Sequence, residues 1–260
     1  MQSNEVNDKA EMFVREGSIV RRIWGRSDTI LFVFAGASAE FALNKSVDWL
    51  YFTGRLPKDP MARLFSTVNY ARLIVFATTE NANAAIDKIT AIHNGVEKAR
   101  GQKIPDWAYR DVLFMLIYYS IAAFETLERK LSQMEEDELF DVFYRMGLRM
   151  NISGLPSNFH EWEIVRQQHL ENDLEKGKLT KDLYKQYRKH LGPVRFWILI
   201  EVQKLLVPQL VYQLLSFKKF RWLLAAPAVY KLARMLRLDG MIKSILLPPG
   251  YRKQVMDLDR

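Results

Sequence analysis

Cysteine is absent from the 260-residue chain. That excludes disulfides, cysteine-ligated zinc, iron–sulfur clusters and thiolate-ligated haem. It agrees with a reducing compartment. Histidine is scarce: His93, His160, His169 and His190 are all the imidazole available for metal ligation or acid–base work. Long hydrophobic runs are missing too. The uncharged stretch 112–124 has 13 residues, short of the roughly 20 that span a bilayer. Residues 196–215 are interrupted by Glu201, Lys204 and Pro208. Residues 1–9 are polar and lack the apolar core of a signal peptide. The expectation is a cytoplasmic protein whose contact with a membrane, where it has one, is peripheral. The chain also lacks a glycine-rich phosphate loop, a Gly-x-Ser-x-Gly elbow and a His-Glu-x-x-His zinc site.

What is present is apolar surface and an uneven charge. Hydrophobic residues make up 49% of the chain and aromatics 12%, enough for a substantial core. Nothing between residues 20 and 240 reads as a flexible linker, so a single domain over 1–260 is expected. The net charge of +8 is concentrated late. Residues 1–175 carry 20 Lys and Arg against 25 Asp and Glu, a balance of −5; residues 176–260 carry 18 against 5, a balance of +13. There the cations alternate with Phe196, Trp197, Phe217, Phe220, Trp222, Leu223, Leu224, Met235 and Ile245. Such a mixture suits an anionic membrane surface better than a nucleic-acid backbone. It also suits a helical layer with a solvated basic face. No nucleic-acid-binding motif is visible, and no nucleic-acid partner is expected.

Periodicity predicts helices throughout and no β–α alternation. An amphipathic pattern covers residues 10–25. Ser27-Asp28 caps a helix over 29–43, which the pattern allows to continue through 44–52. Asp59-Pro60 opens the next, over 61–78, with an N-cap and a proline at the first position. Further helices are read over 80–100, 111–131, 135–151, 157–175, 180–190, 193–216 and 219–238. The architecture implied is an all-α bundle of about eight to ten helices.

Two short signatures carry the chemical interest. Arg63-Leu64-Phe65-Ser66-Thr67 puts a cation and a hydroxyl at i and i+4, on one helix face. Ile92-His93 places an imidazole in line with Ala82, Ala85, Ile86, Ile89 and Val96, an apolar stripe read as facing inward. A lone histidine on an apolar face is more often a satisfied core residue than a ligand. One nitrogen of His93 is expected to donate to the Ile89 carbonyl a turn earlier, leaving the other for the interior. His160, His169 and His190 read as surface residues, because the nine-residue spacing of the first two misses the i, i+4 geometry for shared ligation.

Taken in order, these features resemble a known family. Phe34-Ala35-Gly36-Ala37-Ser38-Ala39 gives a small-residue-rich helix. Asp59-Pro60-Met61-Ala62 leads into Arg63-Leu64-Phe65-Ser66-Thr67. Val75-Phe76-Ala77 and Ile92-His93 follow, and Gly154-Leu155-Pro156 comes later. The order and spacing over about residues 20–165 are similar to those of the family of the ER-bound oxygenase MpaB and rubber oxygenase, the latex-clearing protein. The resemblance implies an all-α, globin-like fold binding haem b, with His93 as axial ligand to its iron. It implies that Arg63 and Thr67 stand on the distal face, with Ser66 where the family carries Lys or Arg. That departure leaves the distal side less cationic. Asp48, fifteen residues before Arg63, is the nearest counterpart of the acid of the rubber-cleaving branch; helix capping or a surface role is its competing reading.

The function expected from the resemblance is that of a haem-dependent oxygenase, an oxidoreductase. Its substrates would be dioxygen and a hydrophobic small molecule, with isoprenoids among the candidates. The rival expectation is a non-catalytic, membrane-peripheral helical protein that binds haem or lipid. Arg63 has two readings, a partner for a propionate or dioxygen and a structural ion pair. Thr67 likewise reads as a distal donor or as a hydroxyl bonded to the Arg63 carbonyl.

Overall fold

The computed structural model describes residues 11–54 and 58–218, apart from the side chains of Met61, Leu64 and Phe65. Ten helices and no strand occur among the described residues. They are α1 (Ile19–Trp24), α2 (Ser27–Phe41), α3 (Val47–Phe52), α4 (Pro60–Val75), α5 (Thr79–Arg100), α6 (Asp106–Leu127), α7 (Gln133–Arg149), α8 (Phe159–Asp173), α9 (Lys178–Leu206) and α10 (Gln209–Leu214). The all-α multi-helix bundle expected from periodicity is the architecture found. The helix expected over 219–238 lies outside the described residues.

Some helix ends follow local chemistry, but Ser27 and Asp28 lie inside α2, which begins after Arg26 with no side-chain cap bond. Asp59 accepts from the Ala62 amide at 2.9 Å and Pro60 occupies the first turn of α4. Thr78 caps α5, whose other end is closed by Gly101 at φ 71. Ser132 and Glu135 form a reciprocal capping box at the start of α7. Other ends were set by tertiary contacts. Residues 11–18 are not helical: the Phe13 amide donates to the Ala77 carbonyl at 3.1 Å, and that of Thr79 to the Glu11 carbonyl at 2.7 Å. Ser18 then caps the short α1. The helix expected to run on through 44–52 is interrupted. Asn44 Oδ1 accepts from the Ser46 amide at 2.8 Å, a side-chain bond that competes with helix continuation. The break read between 180–190 and 193–216 falls at Gly192, where φ 74 and ψ 171 kink α9 into two helical stretches; the second stretch ends at Leu206, and α10 follows after Pro208.

The main apolar core gathers α1, α2 and α4–α8 around Trp24, Phe114, Tyr119, Phe124 and Phe143. Trp24 meets Phe34 edge-on at 6.2 Å between ring centroids. α2 and α6 form the central pair. A Cβ at Gly36 would overlap the Tyr119 ring, so the small-residue run of α2 serves helix packing at this point. Along α5, Ala82 and Ile86 are buried as expected, but Ile92 is 45% exposed. The buried stripe is narrower than the sequence pattern suggested. No described helix is long and apolar enough to cross a membrane.

Candidate functional site

His93 sits in the penultimate turn of α5. Its ring packs against Tyr109 of α6, with centroids 5.2 Å apart and planes at 59°. Tyr109 is held in turn: its hydroxyl donates to Glu97 Oε1 at 3.2 Å, and the same oxygen accepts from the Ile104 amide at 2.9 Å. The bond expected between His93 and the Ile89 carbonyl is not formed. Instead His93 Nδ1 is sealed from water without a hydrogen-bond partner. Burial, assisted by the nearby Arg63 cation and opposed by Glu97, lowers the imidazole to about 4. The ring is therefore neutral at neutral pH.

Arg63 lies in the first turn of α4, half-buried and within electrostatic reach of His93. Thr67, one turn on, donates from Oγ1 to the Arg63 carbonyl at 3.2 Å. Ser66 is half-buried between them. α4 and α5 thus bring Arg63 and His93 together. Asp48 is engaged elsewhere, bonded to Arg100 Nη2 at 2.7 Å. The Arg100 guanidinium also covers the Trp49 ring at 4.0 Å. This clamp ties α3 to the end of α5.

A second polar cluster lies between α2, α6 and α8. His169, read from sequence as a surface residue, is 8% exposed and packs edge-on to Phe114 at 5.4 Å. Its Nδ1 lies 2.6 Å from Asp111 Oδ1 and 2.6 Å from Asp173 Oδ2. Asn44 donates from Nδ2 to the other Asp111 oxygen at 2.5 Å. Burial and the neighbouring Asp111 carboxylate raise Asp173 above the usual carboxylate range. Beside this cluster, Glu40 receives Arg166 and, at 2.9 Å, the Tyr119 hydroxyl. His190 is also no free surface residue: its two ring nitrogens lie 2.9 Å from the Gln186 carbonyl and 3.1 Å from the Lys58 carbonyl. His160 is exposed as expected.

The cluster had a signal in the sequence. Trp162, Arg166, His169 and Asp173 recur at i, i+4, i+7 and i+11 of one helix, and Glu40, near the end of α2, is followed four residues on by Asn44 in the turn beyond it. Periodicity weighted by hydrophobicity passes over such stripes because their buried faces are polar.

The class these features define is an all-α protein with two separate imidazole centres, one of them facing an arginine across α4 and α5. The chain belongs to the ER-bound oxygenase mpaB/B'/rubber oxygenase catalytic-domain family, whose profile matches residues 21–254. The match runs through the basic C-terminal third, beyond the 20–165 covered by the sequence resemblance. Comparison with curated proteins and with solved structures gave no match. Membership supports an oxygenase-like function on a small molecule with dioxygen, and a cofactor of metal or haem type.

Proposed function

We propose that the chain is a haem-b-dependent oxygenase-like protein acting on a hydrophobic substrate, an isoprenoid being the class to try first, and that His93 would hold the haem iron. One observation carries the reading: a neutral imidazole with a buried, unpartnered nitrogen stands near an arginine at the centre of the family's motif. Ligation requires a neutral imidazole, and His93 meets that requirement without losing a hydrogen bond at Nδ1. Haem, when bound, supplies the dioxygen chemistry. The protein supplies the rest. Tyr109, steadied by Glu97, fixes the His93 ring plane. Arg63 offers a cation to a propionate or to dioxygen. The Thr67 hydroxyl has its hydrogen directed at the Arg63 carbonyl, so it steadies that turn and offers its lone pairs. Ser66 leaves the distal side with Arg63 as the motif's sole cation. Asp48 serves the Arg100 clamp rather than proton transfer.

The test is the visible spectrum of fresh protein, with haem added back. A Soret band lost in His93→Ala, with helical content retained, supports the ligand assignment. Equal haem retention in the variant refutes it. Dioxygen uptake with a polyprenyl substrate then separates an enzyme from a carrier.

A non-catalytic, membrane-peripheral haem- or lipid-binding protein is the second reading. The +13 balance of residues 176–260 and their interleaved aromatics favour it. The segment expected to make the contact, 219–238, lies outside the described residues. Co-sedimentation with anionic and neutral liposomes decides: salt-sensitive binding to anionic vesicles alone supports attachment, and equal or no partitioning at low salt removes it.

A further inference from the structure

We propose that Asp111, His169 and Asp173 form a binding site for a divalent transition-metal ion, separate from the His93 centre. Three donors converge there from two helices: Asp111 from α6, and His169 and Asp173 one turn apart on one face of α8. Their ligand atoms all lie within 4.8 Å of one another.

Hydrogen counting makes the site unusual. His169 Nδ1 carries at most one hydrogen, yet two carboxylate oxygens lie 2.6 Å from it. The hydrogen-bond geometry is met toward Asp173. Asp111, only 2% exposed, is left with Oδ1 buried and without a hydrogen bond. An unsatisfied buried carboxylate oxygen carries a desolvation cost that a cation removes.

The surroundings hold the donors in place. Asn44 grips Asp111 Oδ2, and Asn44 is itself fixed by the Ser46 amide and hydroxyl, so Oδ1 is aimed at the ring. The Lys45 amide donates to the Asp173 carbonyl at 2.9 Å, tying the 43–45 turn to the end of α8. Support of this kind is what orients ligands in metal sites. The first partner of the adjacent Arg166 guanidinium is Glu40, although its charge also reaches Asp111, and the Lys45 ammonium donates to the Asn172 carbonyl within electrostatic reach of Asp173. Two carboxylate ligands match the charge of a divalent ion.

One nitrogen and two oxygens suit manganese, iron(II), cobalt or zinc. They are too few for calcium, and too hard for copper(I). Donors about 2.1 Å from an ion stand about 3 Å apart, so the two 2.6 Å contacts would open slightly on binding. Tyr109 faces His93, whereas Asp111 is two residues on and roughly 200° round α6. The helix therefore separates the two centres. The ion would pin α8 to α6 and to the 43–45 turn.

The test uses the full chain, with any haem it holds, after chelator treatment. Manganese(II) is titrated in, and binding is read from loss of the free-ion EPR signal, which haem absorption does not mask. The expected result is saturation at one ion per chain, a higher Tm, and displacement by zinc. Asp173→Asn should weaken binding at least tenfold. His169→Gln is the second variant, each being checked for folding by circular dichroism. His93→Ala should bind manganese as the parent does, whether or not its haem is lost. No saturable binding to the wild-type chain overturns the proposal. So does binding that both cluster variants leave unchanged, or that His93→Ala abolishes.

Discussion

Two glycine-to-alanine substitutions in helices should act with opposite sign. Gly36 faces the fully buried Tyr119 ring, and a methyl group there would overlap Cδ1 and Cε1. The ring has little room to yield, because its hydroxyl is bonded at 2.9 Å to Glu40, which also holds Arg166. Overpacking a close helix contact costs about 1–3 kcal/mol. Weakening a hydrogen bond to a charged acceptor adds about 1–2 kcal/mol. Relief of glycine's helix penalty returns about 1 kcal/mol. The net expectation for Gly36→Ala is a loss of about 1–4 kcal/mol, a fall in Tm of roughly 2–16 °C for a chain of this size. Gly95, in α5, has nothing within 4 Å of the added carbon. Gly95→Ala should therefore gain about 0.5–1 kcal/mol. Thermal unfolding followed by circular dichroism measures both. A Gly36→Ala protein as stable as the parent would refute the close approach of α2 and α6.

Glu135 is held down to about 2 by the Arg129 guanidinium and the Ser132 amide and hydroxyl. A depressed carboxyl contributes stability above its unfolded value and loses it as pH falls from about 4.5 toward 2. Glu135→Gln should cost about 0.5–1 kcal/mol at pH 7, discounted for the exposed Arg129, and almost nothing at pH 2; a cost independent of pH would rule this out. Arg100→Ala should destabilise more than Asp48→Asn in chemical denaturation, since it uncovers Trp49 as well as breaking the ion pair; the reverse order would contradict the clamp. In haem-loaded protein, Arg63→Ala should alter cyanide or imidazole titrations more than the exposed control Lys58→Ala. An unchanged titration would place Arg63 outside the pocket.

Local chemistry made much of the helical frame legible. Asp59-Pro60 marked the start of α4 because a cap is a short-range bond between neighbours; the sequence pattern ran that helix on to 78, whereas it ends at Val75 and Thr78 caps α5. The same two helices carry Arg63 and His93, which residue type and spacing singled out and to which the family resemblance alone gave site roles. The environment of His93 could not: its unpartnered Nδ1 and its contact with Tyr109 depend on how α6 lies against α5. The break at Asn44 was missed because it needs a side-chain bond that hydrophobic periodicity does not encode.

By itself, the sequence determined an all-α chain without thiol chemistry, with four imidazoles and a basic, aromatic-rich C-terminal third. Composition and capping are sums over single residues and near neighbours, so they need no knowledge of what packs where. Tertiary structure alone decided which imidazoles are enclosed. His169 lies 58 residues from Asp111 and 125 from Asn44 in sequence, and its burial follows from the meeting of α2, α6 and α8. Polar groups in an interior are set by mutual pairing across helices, and a hydrophobic pattern along one helix cannot register a partner on another.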